Sequence, residues 1–144
     1  MNGAQSSGVW QTGRMNPAVV ASLQCWHEMI ASGDLGRLPS LLAPECVFHS
    51  PVAYRPYQGA ELTALVLSTA AAVFEDFAYH REFVQGNDAA LEFSARVGSV
   101  RLKGIDLIRF DDGGRIVEFE VMVRPATGLQ ALGQEMARRL GGRL

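Results

Sequence analysis

The sequence predicts an α+β fold, with helices gathered on one side of a curved, mainly antiparallel sheet. Apolar residues recur at helical spacing through most of the N-terminal half and again at the C-terminus. Residues 77–123 instead alternate with the period of two that marks strands, and short turn sequences cut them into segments. A third observation points beyond architecture: an acidic residue, Asp106, falls in the middle of an apolar strand face.

The first helix opens at Asn16, a residue type that caps helix N-termini. Pro17 takes the first helical position, where a missing N–H costs nothing, and the helix runs to about Ser32. Val20, Leu23, Trp26, His27 and Ile30 form its apolar stripe, and Gly33 supplies the stop. Asp34 is placed to cap a second, short helix through "LGRLPSLLAP", in which Pro39 marks the first turn or a kink and Pro44 the end. "CVFHS" reads as a short strand, interrupted by Pro51 and the loop "VAYRPYQG". A third helix is expected from Ala60 to about Glu75. Leu62, Leu65, Val66, Thr69, Val73 and Phe74 share one side of it, and alanines at 70–72 permit close packing.

"FAYHREFVQ", "AALEFSARVG", "VRLKGIDLIRF" and "RIVEFEVMV" follow, separated by "GND", "GS" and "DDGG", so four consecutive antiparallel strands are expected. In the third of these, Val100, Leu102, Gly104, Asp106, Ile108 and Phe110 share the apolar face, opposite Arg101, Lys103, Ile105, Leu107 and Arg109. Whether Asp112-Gly113 or Gly113-Gly114 centres the next turn, Asp106 meets an apolar partner, Phe119 or Val121. Burying a carboxylate there is costly unless it is neutralised or hydrogen-bonded. "TGLQALGQEMARRL" closes the chain as a helix, with Thr127 as candidate cap and Leu129, Leu132, Met136 and Leu140 as its stripe.

The 144 residues, 48% apolar and 19% charged, suit one globular domain, expected over residues 16–144. Residues 1–15, rich in Gly, Ser, Gln and Asn, are expected to form a flexible N-terminal arm. A formal charge of -2 and a pI near 5.9 argue against nucleic acid and anionic membrane as partners. Arg138, Arg139 and Arg143 instead complement a helix C-terminus. The sequence holds no apolar run of membrane-spanning length and no secretory apolar segment, and a cytoplasmic location is expected. Cys25 and Cys46 read as two buried thiols, and no His, Cys or carboxylate set has ligand spacing, so neither a metal nor a cofactor is expected.

Three segments, "ASGDLGRLPSLLAPECVFHSP", "YQGAEL" and "GIDLIRFDDGGRIVEFE", in this order and spacing, resemble the superfamily of nuclear transport factor 2, SnoaL-type polyketide cyclases and ketosteroid isomerase over roughly residues 16–125. That resemblance implies a cone-shaped half-barrel, with a pocket enclosed between the sheet and three helices of the N-terminal half, and often a homodimer formed through the sheet. The C-terminal helix is an addition to the compact isomerase and is expected to close the pocket mouth.

The resemblance carries over unevenly to single residues. The isomerase's protonated aspartic acid, held neutral by an apolar site so that it donates a hydrogen bond, matches Asp106 in "IDLIRF". Its aspartate base, before the proline that follows the first strand, is replaced by Ser50, and its tyrosine donor on the first helix by Trp26. An indole N–H donates but does not exchange protons. Where many SnoaL-like members carry His, Trp or Asp near the end of the last strand, this chain has Phe119, Glu120 and Val121. Arg96 and Arg101 are the candidates for the arginine that limonene epoxide hydrolase uses to position water.

Asp106 is therefore the candidate catalytic residue, and Trp26, Ser50, Tyr54 and Phe119 are the candidate substrate contacts. The plain alternative is a structural carboxylate satisfied by an arginine, by Trp26 or by a tyrosine. His49 has the chemistry of a general base, but strand parity turns it away from the face of Cys46, Phe48 and Ser50. Two functional readings stand side by side. One is a pocket for a small hydrophobic molecule, with isomerase or cyclase chemistry on a carbonyl compound. The other is a non-catalytic dimerisation or ligand-carrier module.

Overall fold

A computed structural model of the chain describes residues 15–143. The expected arm thus lies, apart from Met15, outside the described residues. The elements run α1 (Pro17–Ser32), α2 (Leu38–Leu41), β1 (Leu42–His49), β2 (Tyr57–Gln58), α3 (Ala60–Val73), β3 (Glu75–Gln85), β4 (Asp88–Val97), β5 (Val100–Phe110), β6 (Ile116–Arg124) and α4 (Ala126–Leu140), closed by a 3-10 turn over Gly141–Arg143. The strands form one six-stranded, curved and unclosed sheet in the order β2-β1-β6-β5-β4-β3. All neighbours are antiparallel except β1 and β6, which run parallel. This is the expected α+β cone.

Two-residue turns, Gly86-Asn87 and Gly98-Ser99, join β3 to β4 and β4 to β5. In β5, Leu102, Asp106, Ile108 and Phe110 are buried and every odd-numbered residue from Arg101 to Arg109 is exposed, as the alternation requires. Of the two registers open to the last hairpin, the fold takes the one that pairs Asp106 with Val121.

The helices lie over the inner face. Asn16 caps α1 by accepting from Ala18 N at 2.9 Å. Its amide nitrogen also donates to Asn87 Oδ1 at 3.2 Å and to the Asp112 carbonyl at 3.1 Å, which ties the helix to the turns before β4 and β6. Farther along, Ser22 Oγ donates to the Gly114 carbonyl at 2.5 Å. Gly114 (φ +87°) fits against α1 because it has no side chain: a Cβ there would stand 2.6 Å from the Ala18 carbonyl oxygen. These ties fix where Trp26 comes down on the sheet. The buried side of α1 is Val19, Leu23, Trp26 and Met29, with Val20 and His27 turned toward its edges.

Three local expectations are corrected. The second helix is a single turn, and Leu42–Glu45, including Pro44, belongs to β1, where residues 42 and 43 are buried against the core. Asp34 accordingly caps a turn, accepting from Gly36 N at 2.9 Å, rather than a helix. The third helix stops at Val73, and Glu75 already belongs to β3. Of the two thiols expected to be buried, Cys46 is, and Cys25 is half-exposed on α1.

Gly104 bears on the inner face. A Cβ there would lie 2.3 Å from Phe93 Cζ and 2.6 Å from the Met122 carbonyl oxygen, so the Phe93 ring occupies the space that a side chain on β5 would need. Gly104→Ala is expected to destabilise the fold by about 1–3 kcal/mol through overpacking, measured as a lower denaturant midpoint at unchanged slope.

Candidate active site

Asp106 stands on a central strand with 5% of its surface exposed. Among the described residues no arginine reaches it. Its partner is Tyr79 on β3, whose hydroxyl donates to Asp106 Oδ2 at 2.5 Å and accepts from Trp26 Nε1 at 2.9 Å. A relay Trp26–Tyr79–Asp106 therefore crosses from α1 to the edge strand to the middle of the sheet. Asp106 Oδ1 has no hydrogen-bond partner among the described residues, and Asp106 lines a cavity of about 410 Å³. That volume lies within the range of small-molecule pockets, roughly 300–1,000 Å³.

The chamber is walled by Trp26, Phe77 and Phe119 and floored by the relay, with Leu67 and the alanines at 70–72 of α3 opposite. Trp26 and Phe119 pack with ring centroids 5.4 Å apart. His27 stands edge-on to Tyr79 at 5.2 Å and places Nε2 2.6 Å from Glu82 Oε1, which holds the tyrosine from its solvent side. Asp106 and Tyr79 are the only titratable side chains in the wall among the described residues.

Desolvation raises the Asp106 carboxyl to about 7, opposed by the hydrogen bond from Tyr79, which favours the ionised form. Burial first, then the Asp106 charge and the hydrogen bond to it, push the Tyr79 hydroxyl well above its ordinary value. Near neutral pH the carboxyl thus exchanges a proton readily while Tyr79 stays a neutral donor. Protonated, Asp106 can donate from Oδ1 to a ligand oxygen; ionised, it can accept a proton or a hydrogen bond. Tyr79 can serve both states without moving.

Of the residues singled out from the sequence, the structure brings Asp106, Trp26 and Phe119 to one chamber. Ser50 is elsewhere, lining a second cavity, with its Oγ accepting from Val52 N at 3.0 Å and Ala53 N at 3.4 Å. Tyr54 lines neither chamber: at 102% relative exposure it projects into solvent. The tyrosine of that loop that reaches a cavity is Tyr57, because β2 pairs it with Phe48 and the two rings stack. Arg96 pairs with Asp76 at 2.8 Å and Arg101 is exposed, so neither can place a water in the chamber. His49 faces outward and meets Glu118 at 2.8 Å.

Tyr79 is the functional residue that sequence reasoning missed. Continued without interruption from the Gly86-Asn87 turn, the pairing of β3 would put Glu82 and His80 on the inner face and Tyr79 on the outer. An irregularity between Tyr79 and Glu82 shifts the register, so Tyr79 pairs with Phe93 and turns inward. The legible signal was the aromatic pair Phe77 and Tyr79, too large and apolar for a solvated face.

A family model described as SnoaL-like domain matches residues 23–119. A steroid delta-isomerase from Pseudomonas aeruginosa is 56% identical, the match covering 90% of this chain and 96% of that one, with a TM-score of 0.87. A protein with a cystatin-like fold from Silicibacter pomeroyi, described as uncharacterized and conserved in bacteria, is 36% identical over 90% of this chain and 89% of that one, TM-score 0.79. An NTF2-like protein of unknown function from Mesorhizobium loti, 23% identical over 76% and 93% with a TM-score of 0.69, shares the fold. No curated protein matches.

The raised carboxyl makes stability depend on pH. Because the folded state holds the Asp106 proton more tightly than the unfolded chain does, this contribution is fully present below the ordinary carboxylate range and is lost as pH rises through about 7. Relative to Asp106→Asn, the wild type should lose up to about 1.4 kcal/mol per pH unit between roughly pH 5 and 7, measured by urea unfolding at stepped pH. Tyr79→Phe removes the bond that favours the ionised form and should extend that loss to higher pH.

Proposed function

The chain belongs to the SnoaL-like domain family, and we propose on that basis that its Asp106 chamber binds a small hydrophobic molecule by one oxygen atom and promotes isomerase- or cyclase-type proton transfer on a carbonyl compound. The observation that carries this reading is a buried carboxyl with one oxygen held by Tyr79 and the other facing an apolar cavity. A protonated Asp106 donates to the carbonyl oxygen. As a neighbouring C–H bond gives its proton to a solvent water and negative charge gathers on that oxygen, the hydrogen bond from the buried carboxyl strengthens. Trp26 and Tyr79 keep the carboxyl aimed, and Phe119 supplies apolar contact. The likeness to a protein described as a steroid delta-isomerase supports a ring ketone as the guest.

A ligand-carrier role without turnover is the second reading, favoured by one observation. The site of the isomerase base is Ser50, whose hydroxyl is engaged with the backbone of its own turn in another cavity. We further propose a homodimer through the outer sheet face. There Phe83, Leu107, Ile105 and Met122 are exposed in adjacent pairing rows, Phe83–Ala90–Leu107 and Ile105–Met122. Free Cys25 and Cys46 suit a reducing, cytoplasmic setting.

Calorimetric titration with a steroid ketone tests the site. The ketone oxygen only accepts, so affinity should fall toward tenfold per pH unit above about 7 in the wild type, become independent of pH in Asp106→Asn, and drop at least tenfold in Asp106→Ala. No binding at any pH would refute the reading. With a β,γ-unsaturated ketone, growth of conjugated-enone absorbance supports the enzyme and binding without it the carrier. Met122→Asp is expected to convert the dimer to monomer in sedimentation velocity.

A further inference from the structure

Beneath α4 lies a second cavity of about 180 Å³, and it does not contain Asp106. Its floor is the stacked pair Phe48 and Tyr57, and its roof is Leu132, Met136 and Leu140 of α4. Ser50 and the Tyr57 hydroxyl are its polar groups, and the Ser50 Oγ already accepts two backbone N–H bonds. With no charged side chain in its lining, the space offers nothing to a charged guest. It has the size for one: an apolar cavity of about 150 Å³ is enough to take up benzene.

The two cavities share two lining residues, Ala70 and Phe74. Ala70 contributes a single methyl. Phe74 sits where α3 gives way to β3, with its ring centroid 5.5 Å from those of Phe77 and Phe93. Ala70 and the partly buried Phe74 ring thus border both chambers.

From this geometry we infer that the chambers form one elongated site for a two-part ligand: an oxygen-bearing head at Asp106 and Tyr79, and a compact alkyl or alicyclic tail under α4. The inference rests on the proposed binding role of the Asp106 chamber and adds the tail. It assigns α4 the task of choosing among tails, through Met136 and Ala137, which line the second chamber and do not touch the first. Compounds bearing charge at both ends are excluded, because no charged side chain lines the distal chamber.

A series of 4-alkylphenols, from methyl to hexyl, tests this, since the phenolic oxygen can meet Asp106 in either protonation state. Wild-type affinity should rise about fourfold for each methylene buried and level off once the chamber is full. Met136→Trp and Ala137→Phe, which plug the second chamber, should abolish the rise while leaving 4-methylphenol affinity within twofold. That retained binding also shows that the variants fold. Asp106→Ala should weaken all members alike. A rise that persists in both plugged variants, or a flat series in the wild type with 4-methylphenol still bound, overturns the two-chamber site and leaves the head site standing. Failure of every member to bind the wild type overturns both.

Discussion

The structure turns on keeping one carboxyl out of water. Asp106 occupies an inward position of a central strand, between Leu102 and Ile108, and is satisfied by a single hydrogen bond from Tyr79. A buried ion at such a place costs several kcal/mol unless its partners are complete. The fold meets that cost by letting the proton stay on near neutrality, with a donor that holds one oxygen and leaves the other to the cavity. The proposed chemistry of the chamber follows from that one placement.

Positioning Asp106 takes three elements that are remote in sequence. β3 must kink so that Tyr79 turns inward, α1 must be set at a depth where Trp26 reaches the tyrosine oxygen, and β5 must be bare at Gly104 so that Phe93 can lie flat beneath. Each condition is met locally. The register shift in β3 lies between Tyr79 and Glu82, the ties of Asn16 and Ser22 to the hairpin turns set the helix, and Gly104 has no atom to remove. Tyr79, on the edge strand, thereby reaches a residue two strands away at 2.5 Å.

Period and parity made the buried face of β4 and β5 legible, and with it Asp106, because in a regular strand a side chain's face is fixed by whether its number is odd or even. The outward turn of His49 was readable on the same rule. Legibility failed where regularity did. One extra residue in β3 inverts parity and conceals Tyr79, and the loop after Pro51 has no period to separate its tyrosines, so Tyr54 was named as the contact where β2 in fact pairs Tyr57 with Phe48. Ser50 shows a third limit. By the resemblance its place in the chain matches that of a catalytic base, yet its hydroxyl is engaged by the backbone of its own turn.

The proposed chemistry rests on the proton that Asp106 holds near neutrality. Carbon-13 NMR titration of the side-chain carboxyl in selectively labelled protein measures this directly, with Asp106→Asn identifying the resonance. A midpoint near 7 is expected, moving upward in Tyr79→Phe. A midpoint in the ordinary aspartate range, about 4, would mean that the carboxyl is solvated or ion-paired and that no neutral acid stands in the chamber.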